Sequence, residues 1–166
     1  PVASWLYRLA DGGGAFYAAR FEFTKDDGAR GKDVVPVSYC DIEDGTKGWR
    51  QKGMDTDRPL YRLPELIANP SALVLVVEGE KKAEAAVAMF PDLVAVTSAG
   101  GSKAWRKTDW SPLAGRRVVI WPDNDHPKPP KGQRPGHDYA DAVAGEAEAA
   151  GADSVSIVEV PADWPD

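Results

Sequence analysis

Two short apolar runs, each closed by carboxylates, constrain this chain most. Leu73-Val74-Leu75-Val76-Val77 leads straight into Glu78-Gly79-Glu80, and Val118-Val119-Ile120-Trp121 leads into Pro122-Asp123-Asn124-Asp125. Neither run alternates with polar residues, which suits a strand covered on both faces, as in a parallel sheet. Sites in open parallel sheets form at the carboxyl ends of strands, and adjacent strands lie about 4.8 Å apart. If the two runs are neighbours, Glu78, Asp123 and Asp125 converge on one small volume. Carboxylates that close repel one another unless a cation lies among them. An all-oxygen ligand set without His or Cys points to Mg²⁺, with Mn²⁺ as a substitute.

Composition narrows the function classes. The 166 residues suffice for one domain with a small appendage, and 43% hydrophobic residues support a packed core. A formal net charge of −6 argues against gripping nucleic acid by bulk charge alone, but leaves room for a local basic patch beside a metal. The single Cys40 excludes an internal disulfide and a cysteine-built zinc site, and fits a cytoplasmic compartment. No signal peptide is visible, nor an apolar run near the roughly 18 residues of a membrane span, so no membrane partner is expected. The chain begins at Pro1 without Met and reads as a piece of something longer.

Residues 1–62 read as β-rich. Tyr17, Ala19, Phe21 and Phe23 alternate with Ala18, Arg20, Glu22 and Thr24, the period of a half-buried strand. Gly12-Gly13-Gly14, Asp26-Asp27-Gly28 and Asp44-Gly45 are turn signals, so three or four antiparallel strands are expected, with Trp49-Arg50 on the last. Pro64 fits the first turn of a short helix ending near Ala68, and Asn69-Pro70-Ser71 breaks the chain. From Leu73 the pattern becomes βαβα. A helix is expected over 80–90 with Ala83, Ala86, Val87 and Phe90 on one side. A strand follows at 93–96, a short helix at 103–110, a strand at 117–121 and an exposed Pro-rich loop at 126–135. A helix at 138–150, with Tyr139, Ala142, Val143 and Ala147 inward, stops at Gly151 before a strand at 154–160. Crossovers of this length imply parallel strands with right-handed connections.

These residues resemble the Toprim domain, the metal-binding α/β fold of bacterial-type primases, type IA and type II topoisomerases and some nucleases. The likeness covers 73–160. It rests on Val77-Glu78-Gly79, on Gly100-Gly101 after the second strand, on Asp123-Asn124-Asp125 after the third, and on Gly136 as the glycine expected soon after the aspartates. Within that family the chain is most similar to primases of phages and mobile elements, through Val77-Glu78-Gly79-Glu80-Lys81 and through Arg58-Pro59-Leu60-Tyr61-Arg62-Leu63-Pro64-Glu65-Leu66. The loop between Asp125 and Gly136 is longer than the family's usual few residues.

The fold expected is therefore α/β: a Toprim-type, Rossmann-like parallel sheet flanked by helices, with a small N-terminal β-rich subdomain. The division expected is 1–70 for that subdomain, 71–161 for the Toprim catalytic domain and 162–166 for the start of a linker. The resemblance implies metal-dependent nucleotidyl transfer, making primers on single-stranded DNA from nucleoside triphosphates. A helicase domain in the same chain beyond Asp166, or a separate helicase subunit, is the implied partner. Glu78, Asp123 and Asp125 are the implied catalytic and metal-holding residues, Glu78 also as general base. Arg58, Arg62, Lys81, Gly100, Gly101 and Lys103 are candidates for nucleotide or nucleic-acid phosphates, since Arg offers a bidentate fork and backbone N–H groups cradle anions.

Each of these residues also has a plainer reading. Glu78 complements a helix N-terminus, Asp123 and Asp125 form turns, Gly100-Gly101 needs positive φ, and the lysines are solvated. A basic surface beside the carboxylates is expected where the N-terminal sheet docks, drawn from Arg20, Lys32, Arg50, Lys52, Arg58 and Arg62, with Arg58 and Arg62 on or near its wall. Two other functions stay open: a Toprim nuclease, and a non-catalytic nucleic-acid-binding module of a primase–helicase.

Overall fold

A computed structural model describes residues 1–42, 45–54, 57–101, 104–125, 134–161 and 164. The turn chemistry of the first third folds it into an antiparallel sheet, β1 Ala3–Arg8, β2 Gly14–Thr24, β3 Arg30–Asp41 and β4 Lys47–Arg50, in the order β1-β2-β3-β4. At the first hairpin, Leu9 N–H donates to Gly13 O and Gly12 takes φ 86°. At the second, Lys25 N–H donates to Ala29 O around Gly28 at φ 80°. Period-2 alternation splits this sheet into two faces. Trp5, Tyr7, Phe16 and Ala18 point inward and pack on Ala99 at the end of the second sheet. Tyr39 and Trp49 pair across β3 and β4 on the outward face and are exposed.

The apolar runs form a parallel sheet of four strands in the order β6-β5-β7-β8, with β5 Val74–Val77, β6 Val94–Val96, β7 Arg117–Trp121 and β8 Ser154–Ile157. Every residue of β5 is buried, as an unalternating run requires. One face packs with α1 Leu63–Ala68 and α3 Pro135–Ala149, through Leu63, Leu66, Val76, Ile120 and Val143. The other packs with α2 Glu80–Met89, through Leu75, Val77, Ala83, Ala86 and Ala95. Arg116, buried just before β7, donates to Leu66 O at 3.0 Å and Asn69 O at 2.6 Å, so it caps the carboxyl end of α1. No helix among the described residues is long and apolar enough to cross a membrane.

The architecture is thus the expected one: a parallel sheet flanked by helices, with a separate N-terminal antiparallel sheet. Local departures have simple causes. Phe90 is the C-cap of α2 and is 37% exposed, because the helix stops one residue before it and Pro91 follows. The short helix expected at 103–110 is only a 3-10 turn at Trp105–Lys107, because Thr108 is drawn into a bridge with Arg58. α3 starts at Pro135, three residues earlier than 138, since Pro suits the first turn. On α3 Ala140, rather than Ala142, is the fully buried alanine beside Tyr139. Strand β8 ends at Ile157, short of the expected 160. Most of the Pro-rich loop, 126–133, lies outside the described residues.

Candidate active site

Strands β5 and β7 run parallel with Val77 opposite Trp121. Glu78 and Pro122 therefore leave the sheet side by side, and Asp123 and Asp125 follow within three residues. Glu78 is half-buried, as are both aspartates. The residue after Glu78 must turn sharply: Gly79 has φ 99° and ψ 153°, a region open essentially only to glycine. Its N–H donates to Thr97 Oγ1 at 2.9 Å, which ties the Glu78 loop to the end of β6. The glycine pair faces the same place. A Cβ added at Gly101 would lie 3.9 Å from Glu78 Oε1, and one at Gly100, at φ 90°, would clash with Ala104 Cβ at 2.8 Å.

The aspartate side is held by the start of α3. Gly136 N–H donates to Asp125 Oδ2 at 2.7 Å. A Cβ at Gly136 would come within 2.8 Å of Asp123 Cβ and Asp123 O, and 2.9 Å of Asp123 N. Only glycine lets the helix approach the aspartate turn this closely. The Lys82 ammonium, from the first turn of α2, forms an ion pair with Asp123.

Beneath the carboxylates lies a buried polar layer, of which the periodicity of the sequence singled out only Tyr139, as an inward-facing residue. Tyr139 OH and Ser98 Oγ share a hydrogen bond at 2.9 Å, and both residues are buried. Burial pushes the Tyr139 phenol up, the hydrogen bond with Ser98 opposes the rise and the Glu78 charge adds to it, so Tyr139 stays neutral under the site. On the other side Tyr7 OH donates to Glu80 Oε1 at 2.7 Å, inside the contact between the two sheets. Burial raises the Glu80 pKa, while the Tyr7 hydrogen bond opposes the rise.

Between the two sheets runs a groove of about 630 Å³. Its floor carries Glu78, Gly100, Gly101 and Asp123, and its outer wall carries Arg20 and Lys32 from β2 and β3. Lys81 and Lys82 border it as well. The basic wall thus comes from Arg20 and Lys32 rather than from Arg58 and Arg62. Arg58 is buried: its Nε reaches Met54 O at 3.5 Å, and its guanidinium packs beside Gly53 and Gly100. Arg62 takes a left-handed φ of 65° at the N-cap of α1, and its Nε is buried without a partner among the described residues. Lys103 and its neighbour Ser102 lie outside the described residues. Arg20 lies on the same face of β2 as inward-facing Phe16 and Ala18.

Among the described residues, no three His, Cys, Asp or Glu side chains gather closely enough to make a ready-formed metal site. The donor chemistry nonetheless fits a hard divalent cation. Glu78, Asp123 and Asp125 offer only oxygens, and Asp123 already holds one cation, the Lys82 ammonium.

No protein-family model matches the chain, and no curated protein matches it. Solved structures do match, among them a chain from the bacteriophage T7 lagging-strand DNA polymerase interacting with primase domains of two gp4 subunits bound to an RNA/DNA hybrid and dTTP. Identity is 13% and the TM-score 0.53, over 95% of this chain and 65% of that one. At that identity the likeness is one of fold, and the fold of this chain is consistent with that of a primase domain.

Proposed function

We propose that this chain is the catalytic core of a Toprim-type DNA primase, a metal-dependent nucleotidyltransferase that makes primers on single-stranded DNA. One observation carries the reading: Glu78 and Asp123 line the floor of a groove whose opposite wall is basic. An acidic floor alone repels a polyanion. Lys32 and Arg20, the latter paired with Glu22 at 2.7 Å, put the positive charge on that wall. The structural likeness to an assembly containing primase domains supports the same reading.

In this scheme the 3′-hydroxyl of one nucleotide attacks the α-phosphate of the next, and pyrophosphate leaves with the electron pair of the broken P–O bond. Glu78 takes the hydroxyl proton. Glu78, Asp123 and Asp125 would hold Mg²⁺ or Mn²⁺, which when bound lowers the cost of the attacking and leaving oxyanions. Backbone N–H groups of the Gly100-Gly101 loop and the Lys81 ammonium hold phosphates, with Lys103 as a further candidate. Residues 1–70 act as the template-side subdomain, 71–161 as the catalytic domain, and a helicase is the partner.

The test is a metal-dependent assay with nucleoside triphosphates and single-stranded DNA, for wild type and Asp123→Asn/Asp125→Asn. Template-dependent products lost in the double variant support a primase. Shortening of the template instead indicates a nuclease. DNA binding with neither activity indicates a non-catalytic module.

A further inference from the structure

We propose that the Lys82 ammonium is a tethered counter-cation on Asp123, which a divalent ion displaces in order to bind there. The inference rests on the reading of Asp123 as a metal ligand, and goes beyond it by naming what holds the site without metal.

Local helix energetics does not favour a lysine at this position. α2 begins at Glu80, so Lys81 and Lys82 stand in its first turn, where the unpaired N–H groups carry partial positive charge. A cation there opposes the helix dipole. The tertiary contact supplies the compensation, because the Lys82 ammonium pairs with Asp123, the carboxylate that leaves β7 beside Glu78. Three acidic groups around this strand edge repel one another, and one ammonium relieves part of that repulsion.

The pair is also built to exchange. Lys82 is 52% exposed and Asp123 30%, so water screens their attraction. An ammonium is a point charge on a flexible four-carbon stem, and it can leave without moving the backbone. Room exists on both sides. Lys82 and Asp123 border the groove between the sheets, and they also border a cleft of about 380 Å³ lined by Phe90 and Trp121. A divalent ion carries twice the charge and takes several oxygens at once. Bound there, it would replace the ammonium on Asp123, with Glu78 and Asp125 as the further oxygen donors.

The experiment is calorimetric titration with Mn²⁺ of wild type, Lys82→Met, Lys82→Gln and Lys81→Met, with thermal melting in the presence and absence of Mn²⁺. Both Lys82 variants should bind Mn²⁺ about two- to fivefold more tightly than wild type, the scale of an exposed ion pair. Their melting temperature should rise more on adding Mn²⁺. Lys81→Met removes the same charge one residue away and should change affinity less. Binding by the Lys82 variants alone would support the counter-cation in its strongest form. Equal or weaker binding in the Lys82 variants overturns the proposal while leaving the metal site standing. An equal gain in Lys81→Met also overturns it, since bulk charge would then explain the effect. Binding by no variant removes both the counter-cation and the metal reading.

Discussion

The Tyr7 hydroxyl donates to Glu80 Oε1 at 2.7 Å, a buried hydrogen bond between residues 73 positions apart. It joins β1 to the first turn of α2, two residues after Glu78. The antiparallel sheet is thereby fixed to the loop that carries the candidate general base. Tyr7→Phe removes only the hydroxyl and leaves a buried acid without its donor, at a cost of about 2 kcal/mol. Denaturant unfolding at neutral pH checks this, and an unchanged midpoint would show that the bond contributes nothing.

Glu80 also sets a pH dependence. Burial raises its pKa above the ordinary 4.5, so the native state keeps the proton to higher pH than the unfolded chain does. Between those two values the native state binds more protons, and stability falls as pH rises through that window. Glu80→Gln keeps an acceptor for Tyr7 and removes the charge. Its stability at neutral pH should match or exceed wild type, and the decline contributed by Glu80 should vanish. Melting temperatures across an acid-to-neutral series test both statements.

Gly136→Ala should lower stability by about 1–3 kcal/mol, the usual cost of overpacking. The added methyl meets the Asp123 backbone, which cannot swing aside as a side-chain end can. Gly145→Ala on the same helix is the control. Nothing lies within 4 Å of its Cβ position, so it should stabilise by up to about 1 kcal/mol. Thermal melting of the pair separates close approach from helix propensity.

Gly79→Ala should cost about 1–3 kcal/mol of backbone strain, because φ 99° with ψ 153° is closed to residues with a Cβ. It should also impair metal binding more than Gly136→Ala of equal stability loss, since it turns Glu78 directly. Mn²⁺ titration at matched stability decides this.

Arg20→Ala and Lys32→Ala should each flatten the salt dependence of single-stranded DNA affinity by about one unit of slope or slightly less. Arg58→Ala should act differently. Its guanidinium is packed beside Gly53 and Gly100, so stability should fall first. Affinity measured over a salt series, beside a melting curve, distinguishes a groove contact from a packing role.

Periodicity and turn chemistry carried most of this architecture. The unalternating runs at 73–77 and 118–121 specified buried parallel strands, because a face with no polar residue must be covered. Alternation from Tyr17 to Phe23 specified an antiparallel sheet but not its covered face, since Phe16 and Ala18 are buried while Phe21 and Phe23 are exposed; glycines after acidic or glycine-rich segments marked its hairpins. The carboxylates at strand ends were legible for the same reason, since a strand of known direction places the next residue at its carboxyl edge. The partners of those residues were decided by tertiary structure alone. Nothing local in Arg20 or Lys32 distinguishes a groove wall from a solvated strand, and nothing local in Arg58 says that it is buried. Which face of the antiparallel sheet turned inward depended on Trp5, Tyr7 and Phe16 finding Ala99. Lys82 met Asp123 only because β5 and β7 are neighbours. Contacts between residues far apart in the chain depend on how the two sheets pack, and no window of local pattern contains that distance.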